Sequence, residues 1–115
     1  LLTLSGCGPS YDYTDLTLAS PAPVPVQLSP SQIRLPVGIA ALVVADPQSS
    51  SASQYEDYDE VVLRSNDTSL LDVFPGPNER EFVLVGLQEG STCVEVVIAR
   101  QVEECIPTTI SAPEG

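Results

Sequence analysis

The sequence predicts an all-β protein, a single β-sandwich of about seven strands that follows an extended N-terminal tether. Three observations favour this fold class. Short apolar runs rich in Val and Ile are separated by Pro, Gly, Ser and Asn at near-regular intervals. No segment keeps a helical period of apolar residues over about a dozen positions. The length of 115 residues suits one domain, because domains typically have about 100–150 residues.

The composition excludes several classes of function. The chain has 16 Asp+Glu against 4 Lys+Arg and no His, which gives a net charge of −12. Without His there is no His-based general base and no His-ligated metal. So few cations cannot form the basic surface that nucleic-acid binding needs. We expect no nucleic-acid partner, no small-molecule substrate and no enzymatic activity, since no nucleophile is paired with a base.

The first seven residues place an apolar run and two small residues before a cysteine. Leu4-Ser5-Gly6-Cys7 resembles the lipobox of bacterial lipoproteins, and residues 1–6 are then the remnant of a signal peptide. The resemblance implies a covalent lipid on Cys7 and a membrane anchor. In that family Gly8, rather than Asp, after the cysteine favours the outer membrane. The alternative is a buried N-terminal strand that carries a free cysteine.

Residues 7–25 are predicted to be the lipidated cysteine and a Pro-rich tether. Ala19 to Pro25 alternates Pro with small residues, which is typical of an extended polyproline-like spacer. At about 3.1 Å per residue, such a tether would lift a domain up to ~50 Å from the membrane. Tyr11 to Leu16 alternates weakly, and this segment could instead pair as an edge strand or dock a partner.

Residues 26–112 are predicted to be the sandwich domain. The strands, separated by turn residues, are predicted at Val24–Leu28, Gln32–Leu35, Ile39–Ala45, Val61–Ser65, Leu70–Phe74, Phe82–Val85, Ser91–Ile98 and Val102–Ile110. Because side chains alternate between the faces of a strand, Val94, Val96 and Ile98 share one face. We expect this apolar face to pack in the core.

Three segments of the domain resemble bacterial Ig-like domains of group 2. They are the opening from Val26 to Gly38, the turn Arg64-Ser65-Asn66-Asp67, and the stretch from Val85 to Thr92. The resemblance implies a single Ig-like β-sandwich. Two features depart from the family pattern. Its Trp on the third strand is missing, with Leu63 near that place, and the loop 46–60 is long and acidic.

Cys93 and Cys105 lie on the last two predicted strands. A turn centred near Ala99-Arg100 would bring them opposite one another, and an exported protein meets oxidising conditions. We therefore predict a cross-strand disulfide that links the final hairpin. A redox-active or metal-binding pair is disfavoured, because the chain has no Cys-x-x-Cys motif and no His.

Residues 55–60 hold four carboxylates within the acidic loop. Asp57, Asp59 and Glu60 could supply oxygen ligands to Ca²⁺. The spacing differs from the EF-hand loop, so a solvated charge run is the favoured interpretation. Tyr55 and Tyr58 are candidates for partner contact or for a sugar platform, because Tyr is common in loops that bind partners.

These observations together predict a lipid-anchored outer-membrane protein with an Ig-like binding module. The expected role is that of a structural or accessory subunit, or an adhesion-type component, of a cell-envelope assembly. Its partners would be the membrane, through the lipid, and an envelope protein. No cofactor is expected beyond the covalent lipid. Two alternatives stay open: a Ca²⁺- or glycan-binding module that uses residues 55–60, and a periplasmic assembly factor.

Overall fold

The structure, a computed structural model, describes residues 9–113 of the chain. The lipobox Leu4-Ser5-Gly6-Cys7 lies outside the described residues, so lipidation of Cys7 stays a prediction. Nine strands follow one another along the described part. They are β1 (Tyr11–Leu18), β2 (Gln27–Ser29), β3 (Gln32–Pro36), β4 (Ala40–Ser49), β5 (Val61–Ser65), β6 (Leu71–Pro75), β7 (Glu81–Gly86), β8 (Gly90–Ile98) and β9 (Gln101–Ser111).

The strands form two sheets that pack face to face. One sheet has the order β1-β4-β7-β6 and the other has the order β2-β3-β9-β8-β5. Neighbouring strands are antiparallel except for β3 and β9, which are parallel. The predicted all-β sandwich is confirmed, with nine strands rather than about seven. No helix in residues 9–113 is long and apolar enough to cross a bilayer.

The core lies between the inner faces of the two sheets. The predicted core face of β8 is confirmed, since Val94 and Val96 are 0% exposed and Ile98 is 4% exposed. Leu63, near the place of the missing Trp, is also buried. The largest side chains that are fully buried with them are Ile33, Leu35, Val43, Leu71, Leu84, Ile106 and Ile110.

The N-terminal tether differs from the prediction. Residues Tyr11–Leu18, which we expected in a spacer over residues 7–25, form β1 at the edge of the four-stranded sheet. They pair antiparallel with β4, and Thr14 and Leu16 are buried. The weak alternation of this segment was therefore a strand signal. The sandwich begins at residue 11 rather than 26. Of the described part of the predicted tether, residues 9–10 and the Pro-rich stretch 19–25 lie outside strands.

The final hairpin carries the predicted disulfide between Cys93 and Cys105, whose Cα atoms are 5.3 Å apart. The register is not the predicted one. Cys93 pairs with Pro107 and Cys105 pairs with Glu95. The turn pairs Ile98 with Gln101, which shifts the register by one residue, and a bulge between Val96 and Val97 shifts it by one more. The two cysteines are thus diagonal neighbours on one face rather than directly opposite. Such neighbours are close enough for side chains to meet.

Candidate functional site

The predicted acidic loop is shorter in the structure than in the sequence analysis. Strand β4 continues to Ser49, so the connection to β5 covers residues 50–60 rather than 46–60. Within it, the backbone N–H of Glu56 donates to Asp59 Oδ2 over 2.7 Å. The N–H of Asp59 donates to the Glu56 carbonyl over 3.0 Å. These bonds close a tight turn at the centre of the charge run.

Arg80 attaches this turn to the four-stranded sheet. Its Nη2 donates to the carbonyl oxygens of Glu56 and Asp59, and its Nη1 lies 3.8 Å from Asp46 Oδ1. The side chain is only 17% exposed. The planar guanidinium suits this role because it offers several donors in a fixed arrangement. One side chain therefore connects the loop to the strand pair β4–β7.

Sequence reasoning missed Arg80. Its backbone has a φ of 64°, a conformation that L-residues adopt uncommonly outside turns. The turn signal was present in the Pro-Gly-Pro-Asn run that precedes it. The carbonyl partners, however, lie 21 and 24 residues away along the chain. No local sequence pattern predicts a contact between residues this far apart in the chain.

The three acidic residues proposed as Ca²⁺ ligands do not converge. No group of three His, Cys, Asp or Glu side chains within residues 9–113 is arranged to hold a metal ion. Asp59 directs Oδ2 to the N–H of Glu56, while the side chains of Asp57 and Glu60 are exposed. A Ca²⁺ site needs about six to eight oxygen atoms around one point.

The two tyrosines of the loop have different environments. Tyr58 is 84% exposed, as a residue that contacts a partner would be. Tyr55 is partly buried and packs against the hydrophobic core. Burial raises the pKa of the Tyr55 hydroxyl, and the charges of Glu103 and Asp59 raise it further. Tyr55 therefore anchors the loop, whereas Tyr58 presents most of its side chain to solvent.

Tyr11 forms a second polar contact at this end of the sandwich. Its hydroxyl donates to Glu104 Oε1, and Thr14 Oγ1 lies 2.8 Å from the same hydroxyl. Burial raises the pKa of Tyr11 well above its usual value, and the hydrogen bond to Glu104 adds to this rise. Because Tyr11 is on β1 and Glu104 is on β9, the bond joins the two sheets.

Carboxylate pairs such as Asp57/Asp59 and Glu103/Glu104 could in principle carry out glycosidase chemistry. The structure gives one member of each pair a local role. Asp59 accepts from a backbone N–H of its own turn, and Glu104 accepts from Tyr11. Neither arrangement pairs two carboxyl groups across a deep cleft.

A surface groove runs between the edge strands β5 and β6. It consists of two adjoining cavities of about 310 Å³ and 280 Å³. The cavities share Val62, Pro75 and Phe82, which make an apolar floor. The acidic residues along the groove are Asp57, Asp59, Glu60, Asp72, Glu79 and Glu81. We call this feature the β5–β6 groove.

No protein-family model matches the chain, and no curated protein matches it. Two solved structures of the surface layer protein SbsC resemble it in fold. The structure of domains 1–6 aligns with a TM-score of 0.59 at 15% identity, over 94% of this chain and 14% of that chain. The structure of domains 4 and 5 aligns with a TM-score of 0.56 at 15% identity, over 91% of this chain and 54% of that chain. The chain thus spans about half or less of either structure, and the likeness concerns the fold.

Proposed function

We propose that this chain is a structural module of the bacterial cell envelope that acts by binding protein and is held at the outer membrane by a lipid on Cys7. The observation that carries the proposal is the sandwich shared with domains of a surface layer protein over 94% of the chain. The Ig-like sequence pattern and the disulfide support it, since disulfides persist in exported proteins. Fold alone does not set function, so the role rests on these features together.

The first strand begins at Tyr11, four residues after the proposed anchor Cys7. The N–H of Ser10 donates to Ser49 Oγ over 3.0 Å, and the Ser10 carbonyl accepts from the N–H of Ser50 over 2.9 Å. Residues 8–10 alone would therefore separate Cys7 from β1. At about 3.3–3.6 Å per residue they reach roughly 10 Å. In this proposal the domain lies against the membrane, whereas the predicted tether would have held it far away.

A binding role fits the surface better than catalysis does. One carboxylate of each candidate acid–base pair, Asp59 in one and Glu104 in the other, already accepts a local hydrogen bond. The two sheets end in four edge strands, β1, β6, β2 and β5. Edge strands offer backbone groups to a partner, and strand addition is a common mode of protein recognition.

The anchor is tested by replacing Cys7. We expect the unchanged chain, produced with its full signal sequence in a bacterial host, to fractionate with membranes and to gain the mass of acyl chains. The variant Cys7→Ala should move to the soluble exported fraction and keep its disulfide. Equal fractionation of the two proteins would overturn the lipid anchor.

The binding role is tested by mild cross-linking in native membranes, affinity purification and mass spectrometry. We expect one envelope protein at a stoichiometric ratio. Labelling of intact cells with a reagent that cannot cross the outer membrane then separates a surface component from a periplasmic one. If no protein exceeds the background of an unrelated lipoprotein, the structural-subunit proposal fails.

A further inference from the structure

The edge of β5 that faces away from β8 has unpaired backbone groups. The Glu60 carbonyl accepts from the N–H of Ala99, and the N–H of Asn66 donates to the Cys93 carbonyl. In an antiparallel pair, hydrogen-bonded positions alternate with positions that point away. Val61, Leu63 and Ser65 therefore direct their N–H and C=O groups outward. No strand within residues 9–113 pairs with this side of β5.

The edge of β6, across the groove, is blocked. The Leu70 carbonyl and the N–H of Gly76 bond toward β7, so alternation leaves residues 71, 73 and 75 facing outward. The N–H of Leu71 donates to the Asp67 carbonyl over 3.1 Å. The N–H of Val73 donates to Asp72 Oδ1 over 3.0 Å. Pro75 has no N–H to donate. The two local hydrogen bonds and this proline therefore protect the edge of β6 from pairing with another strand.

The charges of the β5–β6 groove indicate the chemistry of an occupant. Six acidic residues line it, with Arg64 and Arg80 as the only basic residues along it. Arg80 is engaged with backbone carbonyls of the loop. Arg64 forms an ion pair of 2.6 Å with Glu95. The groove is thus strongly negative around an apolar floor, and it suits a cationic segment with alternating apolar side chains.

We propose that the open edge of β5 accepts an extended, basic segment of a partner protein by strand addition, with the apolar side chains of that segment in the β5–β6 groove. This inference deepens the proposed binding function and rests on it. A second copy of the chain is a poor occupant, because each copy has a net charge of −12. The pairing would use the backbone groups of Val61, Leu63 and Ser65, and the acidic rim would select Lys- or Arg-rich sequences.

The test uses a peptide of about nine alternating Lys and Val residues as the probe, since period two places like side chains on one face. A matched peptide with an N-methyl group on every residue keeps the charges and the side chains but loses all of its backbone N–H donors. Amide hydrogen exchange of the folded chain is followed by NMR. We expect saturating probe to slow exchange at Val61, Leu63 and Ser65 by at least about tenfold. Exchange at Leu16 on β1 should not change.

The acidic rim is tested by a charge-matched pair of double variants. Glu60→Gln with Glu79→Gln removes two exposed carboxylates from the groove. Asp12→Asn with Glu89→Gln removes two exposed carboxylates elsewhere. We expect the groove variant to weaken probe binding at least about fivefold more than its control at low salt, because screening is then weakest.

Several results would overturn the inference. Equal binding of the N-methylated peptide would show plain charge attraction without strand pairing. Protection at β1 instead of β5 would place the site on the other edge. Protection of β5 that grows with protein concentration in the absence of probe would identify a second copy as the occupant.

A photoreactive benzoylphenylalanine in place of Tyr58, at the rim of the groove, separates this inference from the proposed function. The matched control places it at Tyr13 on β1. In native membranes we expect the envelope partner to cross-link from position 58 and not from position 13. A partner that cross-links only from position 13 would overturn the inference and leave the proposed function intact. If no partner cross-links from either position and the affinity purification also finds none, both the inference and the proposed function are overturned.

Discussion

The final hairpin and the acidic loop lie at the same end of the sandwich but are attached in different ways. The hairpin β8–β9 has a long antiparallel ladder and a covalent bond between Cys93 and Cys105. The loop 50–60 has no strand pairing, and Arg80 is its main polar attachment to the four-stranded sheet. The two meet where the N–H of Ala99 donates to the Glu60 carbonyl.

This difference teaches that one end of a small sandwich can contain a rigid element and an adaptable one. The hairpin limits how far its strands can separate even in the unfolded chain. The loop is held by the Arg80 hydrogen bonds, by Tyr55 packed against the core and by backbone hydrogen bonds at its two ends. Such a small set of contacts can open locally without global unfolding. A residue such as Tyr58 is thereby presented on the less restrained element. The following predictions test the contrast.

Loss of the disulfide should have the largest effect. The double variant Cys93→Ala with Cys105→Ala removes a link between residues 12 apart in sequence. We expect the free energy of unfolding to fall by about 3 kcal/mol, mainly because the unfolded chain gains freedom. Urea denaturation without reductant measures this. Dithiothreitol should lower the midpoint of the unchanged chain and leave that of the variant alone, and a midpoint insensitive to reduction in both would contradict the prediction.

Removal of the Arg80 side chain should have the next effect, confined mostly to the loop. Asn tolerates a positive φ, so Arg80→Asn keeps the backbone and loses the guanidinium. We expect a loss of about 1.5–2 kcal/mol, the lower part of the range for hydrogen bonds to a charged group, with faster amide exchange in residues 50–60. Arg100→Asn is the matched control, since Arg100 also has positive φ, at 71°, and lies exposed in the hairpin turn. Equal losses in the two variants would show that Arg80 does not hold the loop.

Tyr11→Phe should cost about 1 kcal/mol, because Glu104 loses a hydrogen bond from a partly buried hydroxyl. Tyr13→Phe on the same strand is the control and should change stability by less than about 0.5 kcal/mol. The contribution of Tyr11 also depends on pH. Folding raises its pKa, so the contribution is complete below the usual value of 10.0 and declines as pH rises beyond it. The gap between the unchanged chain and Tyr11→Phe should therefore narrow in urea titrations above that pH. A gap that widens there would refute the role given to the hydroxyl.

The cross-strand ion pair should have the smallest effect. Arg64 Nε lies 2.6 Å from Glu95 Oε1, and the Arg64 side chain is 56% exposed. A double-mutant cycle with Arg64→Gln and Glu95→Gln should give a coupling of about 0.5 kcal/mol that decreases in high salt. A coupling as large as the loss of stability expected for Tyr11→Phe, or a coupling unaffected by salt, would contradict this order.

Most of the strands and the disulfide could be predicted from the sequence pattern, whereas the first strand and the attachments of the loop could not. Strand β5 occupies the predicted residues Val61–Ser65, because a β-branched run bounded by turn residues specifies a strand locally. The register of the hairpin could not be read, since the bulge at Val96/Val97 adds a residue that no spacing rule reveals. The first strand was assigned to a tether because its partner, the polar end of β4, is distant in sequence.

In the candidate site, too, some features could be predicted from the sequence and others could not. Exposure of Tyr58 follows from its charged neighbours, and the structure places it at the rim of the groove. The inward position of Tyr55 and the contacts of Arg80 depend on packing between segments far apart in sequence. The candidate Ca²⁺ ligands Asp57, Asp59 and Glu60 show that closeness in sequence does not by itself bring side chains to one point in the fold. Three nearby carboxylates in sequence did not become three convergent ligands.

The course of the first and last strands has a mechanical consequence. Tyr11 begins β1 beside Ser49 and the acidic loop, whereas Ser111 ends β9 beside Pro36, at the opposite end of the sandwich. A pull that separates these two ends slides β1 along β4 and slides β9 along β3 and β8. All the hydrogen bonds of each ladder then bear the load together instead of breaking one by one. The disulfide covalently limits how far β9 can slide along β8, so this strand geometry resists a pull along the length of the sandwich.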